Sequence, residues 1–156
     1  MNLDIGLLTA DLKRDEGLLL SIYLDTATPP NPSIGYGYKI AKTALQFYRN
    51  GITQATAESL LVEDISIAIK LLDAELPWWG MMAANACRGL ANMTFQLGIG
   101  GVLKFDRMVW CLRNADYAGA ATEALDSEWA RQCPERAQRI AALYRGCAVD
   151  TASLVA

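Results

Sequence analysis

The segment Asp15–Tyr38, DEGLLLSIYLDTATPPNPSIGYGY, decides the fold and contains the candidate site. It places Glu16 at the end of a helical pattern, Asp25 after a short apolar run, and Ser33 after a proline-rich loop. Two carboxylates and a hydroxyl, held by a helix end and a hairpin, can form an acid/base site. The segment therefore predicts a small sheet beside a helix end, with chemistry at their junction.

The residues around these groups predict the local elements. Asp4 can cap a helix that ends before Gly17, where a positive φ is favourable. The apolar run Leu18–Leu24 and the alternating segment Ile34–Tyr38 predict a small antiparallel sheet. The prolines of residues 26–32 make the connection stiff and unsuited to a central strand. We therefore expect the second carboxylate and the hydroxyl on the two sides of one loop.

The remainder of the chain predicts helices. Thr53 can cap a long helix to about Glu75, whose length suits a connector between two lobes. Trp78–Leu97 is a strongly apolar helix that Gly98, Gly100 and Gly101 break. Shorter helices are predicted at Lys42–Arg49, Phe105–Leu112, Tyr117–Leu125 and Pro134–Arg145, the last with Gly146 beyond its end. The pattern indicates an α+β protein that is mainly helical.

Length and charge limit the functional classes. A chain of 156 residues forms one domain with room for two lobes. A net charge of −3, without a run of Lys or Arg, predicts no nucleic-acid partner. No apolar run approaches the roughly 20 residues that a membrane span needs, so we expect no membrane insertion. The opening MNLDIGLLTADLKRDEG lacks signal-peptide features, which predicts folding in the cytoplasm.

The absence of histidine excludes several kinds of site. Neither a Ser-His-Asp nor a Cys-His nucleophile can be built from this chain, and neither can a His-ligated zinc site. The four cysteines have no CxxC spacing, and we expect them to be reduced thiols. Carboxylates are the remaining acid/base groups.

Several motifs, in this order and spacing, resemble those of the phage-type lysozymes, the muramidase endolysins typified by those of T-even bacteriophages. The resemblance covers nearly the whole chain. The motifs are Asp15-Glu16-Gly17, Ser33-Ile34-Gly35-Tyr36-Gly37, Gly51-Ile52-Thr53, Ala57-Glu58, Asn92-Met93-Thr94-Phe95-Gln96-Leu97-Gly98, Ser127-Glu128-Trp129 and Pro134-Glu135-Arg136-Ala137-Gln138-Arg139.

The resemblance implies a lysozyme-like two-lobed fold. It implies a small antiparallel sheet lobe at about 17–53, a connecting helix at about 54–75, and a helical lobe at about 77–156 that includes the N-terminal helix. It further implies inverting hydrolysis of the β-1,4 bond between N-acetylmuramic acid and N-acetylglucosamine in peptidoglycan, with no cofactor and no metal. We expect a monomer that stays in the host cytoplasm until a holin releases it to the periplasm and cell wall.

The resemblance also assigns roles to residues. Glu16 matches the general acid, Asp25 the second carboxylate, and Ser33 a threonine that helps to hold the attacking water. Arg136 matches an arginine that forms a supporting ion pair with the catalytic glutamate. We expect about 6.5–9.5 Å between the two carboxyl groups, the separation that leaves room for water in inverting enzymes. The positions that match substrate contacts are Tyr38, Lys39, Phe95, Gln96, Met108 and Glu123.

Two other functions remain open from the sequence. A lytic transglycosylase needs one glutamate and no water-activating aspartate, and retention of Asp25 and Ser33 favours the hydrolase over it. A non-catalytic wall-binding or virion protein with a lysozyme fold is the second alternative, since fold does not guarantee chemistry.

Overall fold

A computed structural model describes the backbone of residues 1–150 and the side chains up to Cys147. The predicted boundary of the helical lobe at residue 156 lies outside the described residues. The helices and strands are α1 Ile5–Glu16, β1 Leu19–Leu24, β2 Pro32–Gly35, β3 Tyr38–Lys39, α2 Leu45–Tyr48, α3 Gln54–Glu75, α4 Ala84–Val102, α5 Asp106–Arg113, α6 Tyr117–Leu125, α7 Glu128–Gln132 and α8 Pro134–Asp150. The predicted fold class, mainly helical with a small antiparallel sheet, is confirmed.

Local signals set both ends of α1. The carboxylate of Asp4 accepts a hydrogen bond from the backbone N–H of Leu7 at 2.9 Å, which satisfies a donor that the first turn leaves unpaired. Gly17 follows the last helical residue with φ 68°, a conformation that glycine adopts without steric cost. Glu16 is therefore the last residue of α1, as predicted.

The three strands form one antiparallel sheet in the order β1-β2-β3. Within the alternating segment Ile34–Tyr38, a turn at Tyr36 and Gly37 separates β2 from β3. Gly37 has φ 82°, a conformation that suits a residue of a tight turn and that glycine adopts without steric cost. Pro32 was predicted to lie in the loop but begins β2, a strand position where a missing N–H is tolerated.

The long helix α3 begins as the sequence predicted. The Thr53 hydroxyl accepts a hydrogen bond from the backbone N–H of Thr56 at 3.1 Å. One face of the helix is buried at helical spacing, through Ala57, Leu61, Ile65, Ala68 and Leu72. The cap and this stripe together account for the position of the helix.

The helices of the second half differ in detail from the sequence prediction. Gly98, at φ 69°, kinks α4, but helical structure continues to Val102 rather than ending at the glycines. Helix α7 was not predicted; its cap is Ser127, whose hydroxyl accepts from the N–H of Ala130. Helix α8 does not end before Gly146 but continues to Asp150. A helical glycine costs only about 1 kcal/mol, which the packing of a long helix can offset.

The chain forms two compact units. The sheet unit comprises Thr9–Ile67, and the helical unit comprises Met1–Leu8 together with the described residues from Ala68 onward. Buried side chains of the sheet unit include Leu12, Ile34, Ile40, Ala57 and Leu61. Those of the helical unit include Trp79, Leu90, Met93, Leu112 and Tyr144. None of the described helices is both long and apolar enough to cross a bilayer.

Candidate active site

Asp25 continues β1 beyond its last residue and is held by the far end of the loop. Its backbone N–H donates to the Asn31 carbonyl at 2.9 Å. In return, the backbone N–H groups of Asn31 and Ala27 donate to Asp25 Oδ1 at 2.7 and 3.1 Å, and Asn31 Nδ2 donates to Oδ2 at 3.1 Å. The hydrogen bonds from Asn31 are the main cause of a lowered pKa of Asp25, to which Ala27 and the positive charge of Lys39 add. Asp25 is therefore ionised at neutral pH, as a general base must be.

Ser33 lies in a row of three residues that crosses the sheet. Tyr23 of β1 pairs with Ser33 of β2, and Ser33 pairs with Lys39 of β3. Directly opposite residues of antiparallel strands project to the same face, so these three side chains are neighbours. Asp25 follows Tyr23 by two residues and shares that face, because side chains alternate along a strand. Asp25, Ser33 and Lys39 are thus brought together by strand register.

Glu16 lies against the turn between β2 and β3 and is partly exposed. A Cβ atom added to Gly37 would lie 3.1 Å from Glu16 Oε2, so the turn backbone lies close over the carboxyl group. Gly37 also has φ 82°, which L side chains rarely adopt. Glycine is therefore required twice at this position, once for the turn and once for the space that the Glu16 carboxyl occupies.

Tyr23 is a residue of this site that the sequence analysis missed. Its side chain is half-buried on β1. Burial raises the pKa of the Tyr23 phenol, and the negative charges of Glu16 and Asp25 raise it further. The phenol therefore lies within electrostatic reach of both carboxylates. The available signal was its position two residues before Asp25, which places both on one face of a strand.

An ion pair fixes the helical turn that precedes Glu16. Lys13 Nζ donates to Glu58 Oε1 of α3 at 2.8 Å, and the same ammonium lies 5.7 Å from the centre of the Tyr36 ring. The hydrogen bond to Glu58 raises the pKa of Lys13. Exposed pairs of this kind add little stability, but this one joins α1 to α3 within the sheet unit.

Tyr38, a predicted substrate contact, is partly exposed and packs near an acidic pair. Its ring centre lies 6.0 Å from that of Tyr48. Burial raises the pKa of the Tyr38 phenol, and Tyr48, Glu63 and Asp64 raise it further. Burial and the neighbouring Glu63 raise the pKa of Asp64 itself to about 6.

The predicted substrate contacts of the helical unit fall into two groups, those that line a cavity and those that do not. Met108 and Glu123 line a cavity of about 570 Å³, although Met108 is itself fully buried. Gln96 does not line this cavity but contacts a residue that does, since its Oε1 accepts from Trp129 Nε1 at 2.9 Å; its Nε2 donates to Cys133 Sγ at 3.4 Å. The cavity is lined by Leu97, Gly101, Lys104, Phe105, Asp106, Arg107, Met108, Glu123, Asp126, Ser127, Glu128, Trp129 and Gln132. Neither Phe95 nor Gln96 belongs to this lining.

Arg136, the predicted ion-pair residue, is buried in the helical unit with 7% of its surface exposed. Its Nε donates to Asn92 Oδ1 at 2.9 Å, and a terminal nitrogen donates to the Asn92 carbonyl at 3.4 Å. These bonds join α8 to α4 and fix the plane of the guanidinium group. The predicted partnership of Arg136 with Glu16 stays a prediction.

Comparison with known proteins identifies the family. The family model described as phage lysozyme matches residues 13–145. This chain belongs to the phage lysozyme family. The resemblance inferred from the motifs is thereby confirmed, and at the level of the family it indicates a glycoside hydrolase of the muramidase type.

Individual relatives agree with this assignment. The chain is 31% identical over 150 residues to the pre-baseplate central spike protein Gp5 of Enterobacteria phage T4, covering 83% of this chain but only 26% of that protein. It is 29% identical over 155 residues to the probable T4-type lysozyme 2 of Dictyostelium discoideum, covering 85% of this chain and 90% of that protein. For the probable T4-type lysozyme 1 of the same organism the identity is 28% over 150 residues, with coverages of 83% and 88%.

Proposed function

We propose that this protein is an inverting muramidase that hydrolyses the β-1,4 bond between N-acetylmuramic acid and N-acetylglucosamine in peptidoglycan. The observation that carries the proposal is the pair of carboxyl environments in the sheet unit. Asp25 is held ionised by Asn31 and Ala27 beyond the end of β1, while Glu16 is the last residue of α1 and lies against the turn at Gly37. Two carboxyl groups in unlike environments suit the roles of base and acid.

In the proposed reaction Glu16 carries a proton and donates it to the glycosidic oxygen of the leaving N-acetylglucosamine. Asp25 accepts a proton from water, whose oxygen forms the new bond to C1 of the muramic acid on the face opposite the departing oxygen. The C1–O4 bond breaks with its electron pair going to the leaving oxygen, and the configuration at C1 inverts. One proton then returns from Asp25 to Glu16 through solvent.

The hydrogen bonds of Asp25 favour a particular place for the water. Oδ1 accepts two backbone donors, whereas Oδ2 accepts the side-chain amide of Asn31 and keeps a lone pair for another donor. Ser33 is a buried residue of β2 that lies opposite Tyr23, on the face that Asp25 shares, and its hydroxyl forms no hydrogen bond with the side chains the structure describes. We infer that water lies between Asp25 Oδ2 and Ser33 and that the two carboxyl groups are about 6.5–9.5 Å apart.

The sugar contacts form part of the same proposal. Tyr38 and Lys39 of β3 would contact the glycan beside the carboxylates, and Phe95 and Gln96 of α4 would contact it from the helical unit. Met108 and Glu123 line the cavity of that unit, which has room for a further part of the substrate. Arg136 would pair with Glu16 and keep its carboxyl group oriented.

The test is turbidity loss of outer-membrane-permeabilised Gram-negative cells, with new reducing ends counted and product ends identified by mass spectrometry. Glu16→Gln and Asp25→Asn should each lower the rate at least about 100-fold while the thermal midpoint stays close to wild type. Glu75→Gln, an exposed carboxylate of α3, is the matched control and should keep full activity. Activity of folded Glu16→Gln protein within a few fold of wild type would refute its assigned role.

The same experiment separates the alternatives. Products that end in 1,6-anhydromuramic acid and persist in Asp25→Asn would indicate a lytic transglycosylase. Binding to sacculi without release of reducing ends would indicate a wall-binding protein. The expected result is that wild type releases products with hydrated reducing muramic acid ends. Glu16→Gln and Asp25→Asn should each release none.

The biological role is a separate proposal. We infer an endolysin that lyses the host after a holin opens the inner membrane. Expression in Escherichia coli with and without a holin tests this, since lysis should require both proteins and fail with Glu16→Gln. Similarity to the T4 central spike protein favours a second candidate, a lysozyme carried in a phage particle. Lysis on addition to cells, with none upon co-expression with a holin, would favour that candidate.

A further inference from the structure

Tyr23 occupies its position because β1 is irregular. Leu19 pairs with Gly35, and continuing that register would set Tyr23 opposite Asn31. The register shifts between Leu19 and Tyr23, so that Tyr23 instead lies opposite Ser33. Irregularities of this kind redirect side chains and are frequent beside active sites. The shift therefore aligns a phenol with the hydroxyl inferred to hold water.

The surroundings of Tyr23 are those of a permanent hydrogen-bonding group. Burial and the charges of Glu16 and Asp25 raise its pKa, so the phenol keeps its proton at neutral pH, where Asp25 is ionised. Its hydroxyl forms no hydrogen bond with the side chains that the structure describes. A phenol can donate one hydrogen bond and accept others, which suits it to hold a water molecule.

We propose that Tyr23 is a positioning residue that, together with Ser33, orients the attacking water toward Asp25 Oδ2. The inference rests on the proposed muramidase function and adds a third group to its water site. Tyr23 and Ser33 approach from neighbouring strands, and Asp25 lies two residues from Tyr23 on the same face. A water held by two hydroxyls has fewer orientations to lose on reaching the transition state, so the benefit appears in kcat.

The first test is Tyr23→Phe, which removes the hydroxyl and keeps the ring. We expect kcat on purified soluble glycan to fall at least about tenfold, KM to stay within about twofold, and the thermal midpoint to remain close to wild type. Tyr48→Phe is the matched control, since it removes a phenol hydroxyl from α2 of the same unit, and its kcat should stay within twofold of wild type. A kcat within twofold of wild type for Tyr23→Phe would overturn the proposal.

A double-mutant cycle tests whether the two hydroxyls share one water, which a purely structural role of Tyr23 would not produce. If they do, the effects of Tyr23→Phe and Ser33→Ala should not multiply. The fold-reduction in kcat of the double variant should be at least about fivefold smaller than the product of the fold-reductions in the two single variants. Losses that multiply would show that Tyr23 does not act with Ser33, and the proposal would be wrong.

Failure of this inference can be told apart from failure of the proposed function. If wild type is active, Glu16→Gln is inactive and Tyr23→Phe is fully active, the protein is a muramidase in which Tyr23 has no role. Folded wild type that releases no reducing ends would overturn the function and the inference together.

Discussion

Asn31 binds Asp25 through both its backbone and its side chain. The backbone N–H donates to Oδ1 at 2.7 Å and Nδ2 donates to Oδ2 at 3.1 Å, across a loop of five intervening residues. These two bonds are the largest causes of the lowered pKa of Asp25. Because hydrogen bonds to the charged form favour ionisation, Asn31 keeps the proposed base ready to accept a proton.

Asn31→Ala removes the side-chain donor and leaves the backbone donors of Asn31 and Ala27 in place. The pKa of Asp25 should therefore rise toward its ordinary range. Since activity requires ionised Asp25, the acid limb of kcat/KM should move to higher pH, while the rate at pH 7 falls less than about threefold. The measurement is kcat/KM between pH 3.5 and 8 for both proteins.

The matched control is Asn50→Ala, an exposed asparagine of the same unit, which should reproduce the wild-type profile. A stability scan gives an independent check. A carboxyl whose folded pKa is lowered stabilises the fold above its unfolded pKa and loses that contribution as pH falls through its folded pKa. Asn31→Ala should therefore lose thermal stability above about pH 4 and converge with wild type in stronger acid. An unchanged acid limb would contradict this account of Asp25.

Asp64 shows the opposite shift, and its replacement should stabilise the protein. Burial and Glu63 raise its folded pKa from the usual 3.8 to about 6. A raised carboxyl pKa means that ionisation opposes folding: the cost grows as pH rises from 3.8 to about 6 and is constant above that. Allowing for its partial exposure, Asp64→Asn should gain about 1 kcal/mol at pH 7.5, or about 3 °C in Tm.

The stability of Asp64→Asn is measured by thermal unfolding between pH 4 and 8. The gain should be small near pH 4, where the wild-type carboxyl is protonated in the folded state and only about half ionised in the unfolded state. Glu75→Gln makes the same change in net charge at an exposed position of α3 and should change Tm by less than half as much. A gain that is equal at pH 4 and pH 7.5 would show that titration of Asp64 is not its cause.

Gly37→Ala should separate activity from stability. The substitution costs about 1 kcal/mol because φ is positive, and its methyl group would meet Glu16 Oε2 at 3.1 Å. The carboxyl of Glu16 must then move, so we expect the hydrolytic rate to fall at least about tenfold. Gly98→Ala is the matched control, since Gly98 has φ 69° and no atom within 4 Å of the added Cβ. Gly98→Ala should lose similar stability but keep its activity within about threefold of wild type. Equal losses of activity in the two variants would contradict a specific effect of Gly37→Ala on Glu16.

The sequence predicts best those features that depend on neighbouring residues. Asp4, Gly17 and Thr53 identify helix ends because their side chains, or the lack of one, act on backbone groups within three residues. The apolar run Leu18–Leu24 and the alternating segment Ile34–Tyr38 predict the strands on either side of the proline-rich loop. The relation of Asp25 to Ser33 follows from these local signals, since a hairpin brings its two sides together.

Features that depend on register or on distant packing were not predictable. Tyr23 faces Ser33 because of a two-residue irregularity in β1, which alternation does not reveal. The role of Asn31 depends on the path of the loop that returns it to Asp25. Helix α8 passes Gly146 because burial of Ile140, Ala141 and Tyr144 outweighs the helical preference of one residue. The roles of Glu16 and Asp25 came from the family resemblance, since single carboxylates carry no such signal.

Two glycines of α4 should respond in opposite ways to the same substitution. A Cβ on Gly89 would lie 2.6 Å from Tyr144 Cε1, and this ring is fully buried, so α4 and α8 pack closely only because Gly89 has no side chain. Gly89→Ala should therefore destabilise by about 2 kcal/mol despite the higher helix propensity of alanine. Gly100→Ala meets no atom within 4 Å and should stabilise by about 0.5–1 kcal/mol. Denaturant unfolding of both variants measures the two signs, and a stabilised Gly89→Ala would show that α8 can yield around the Tyr144 ring.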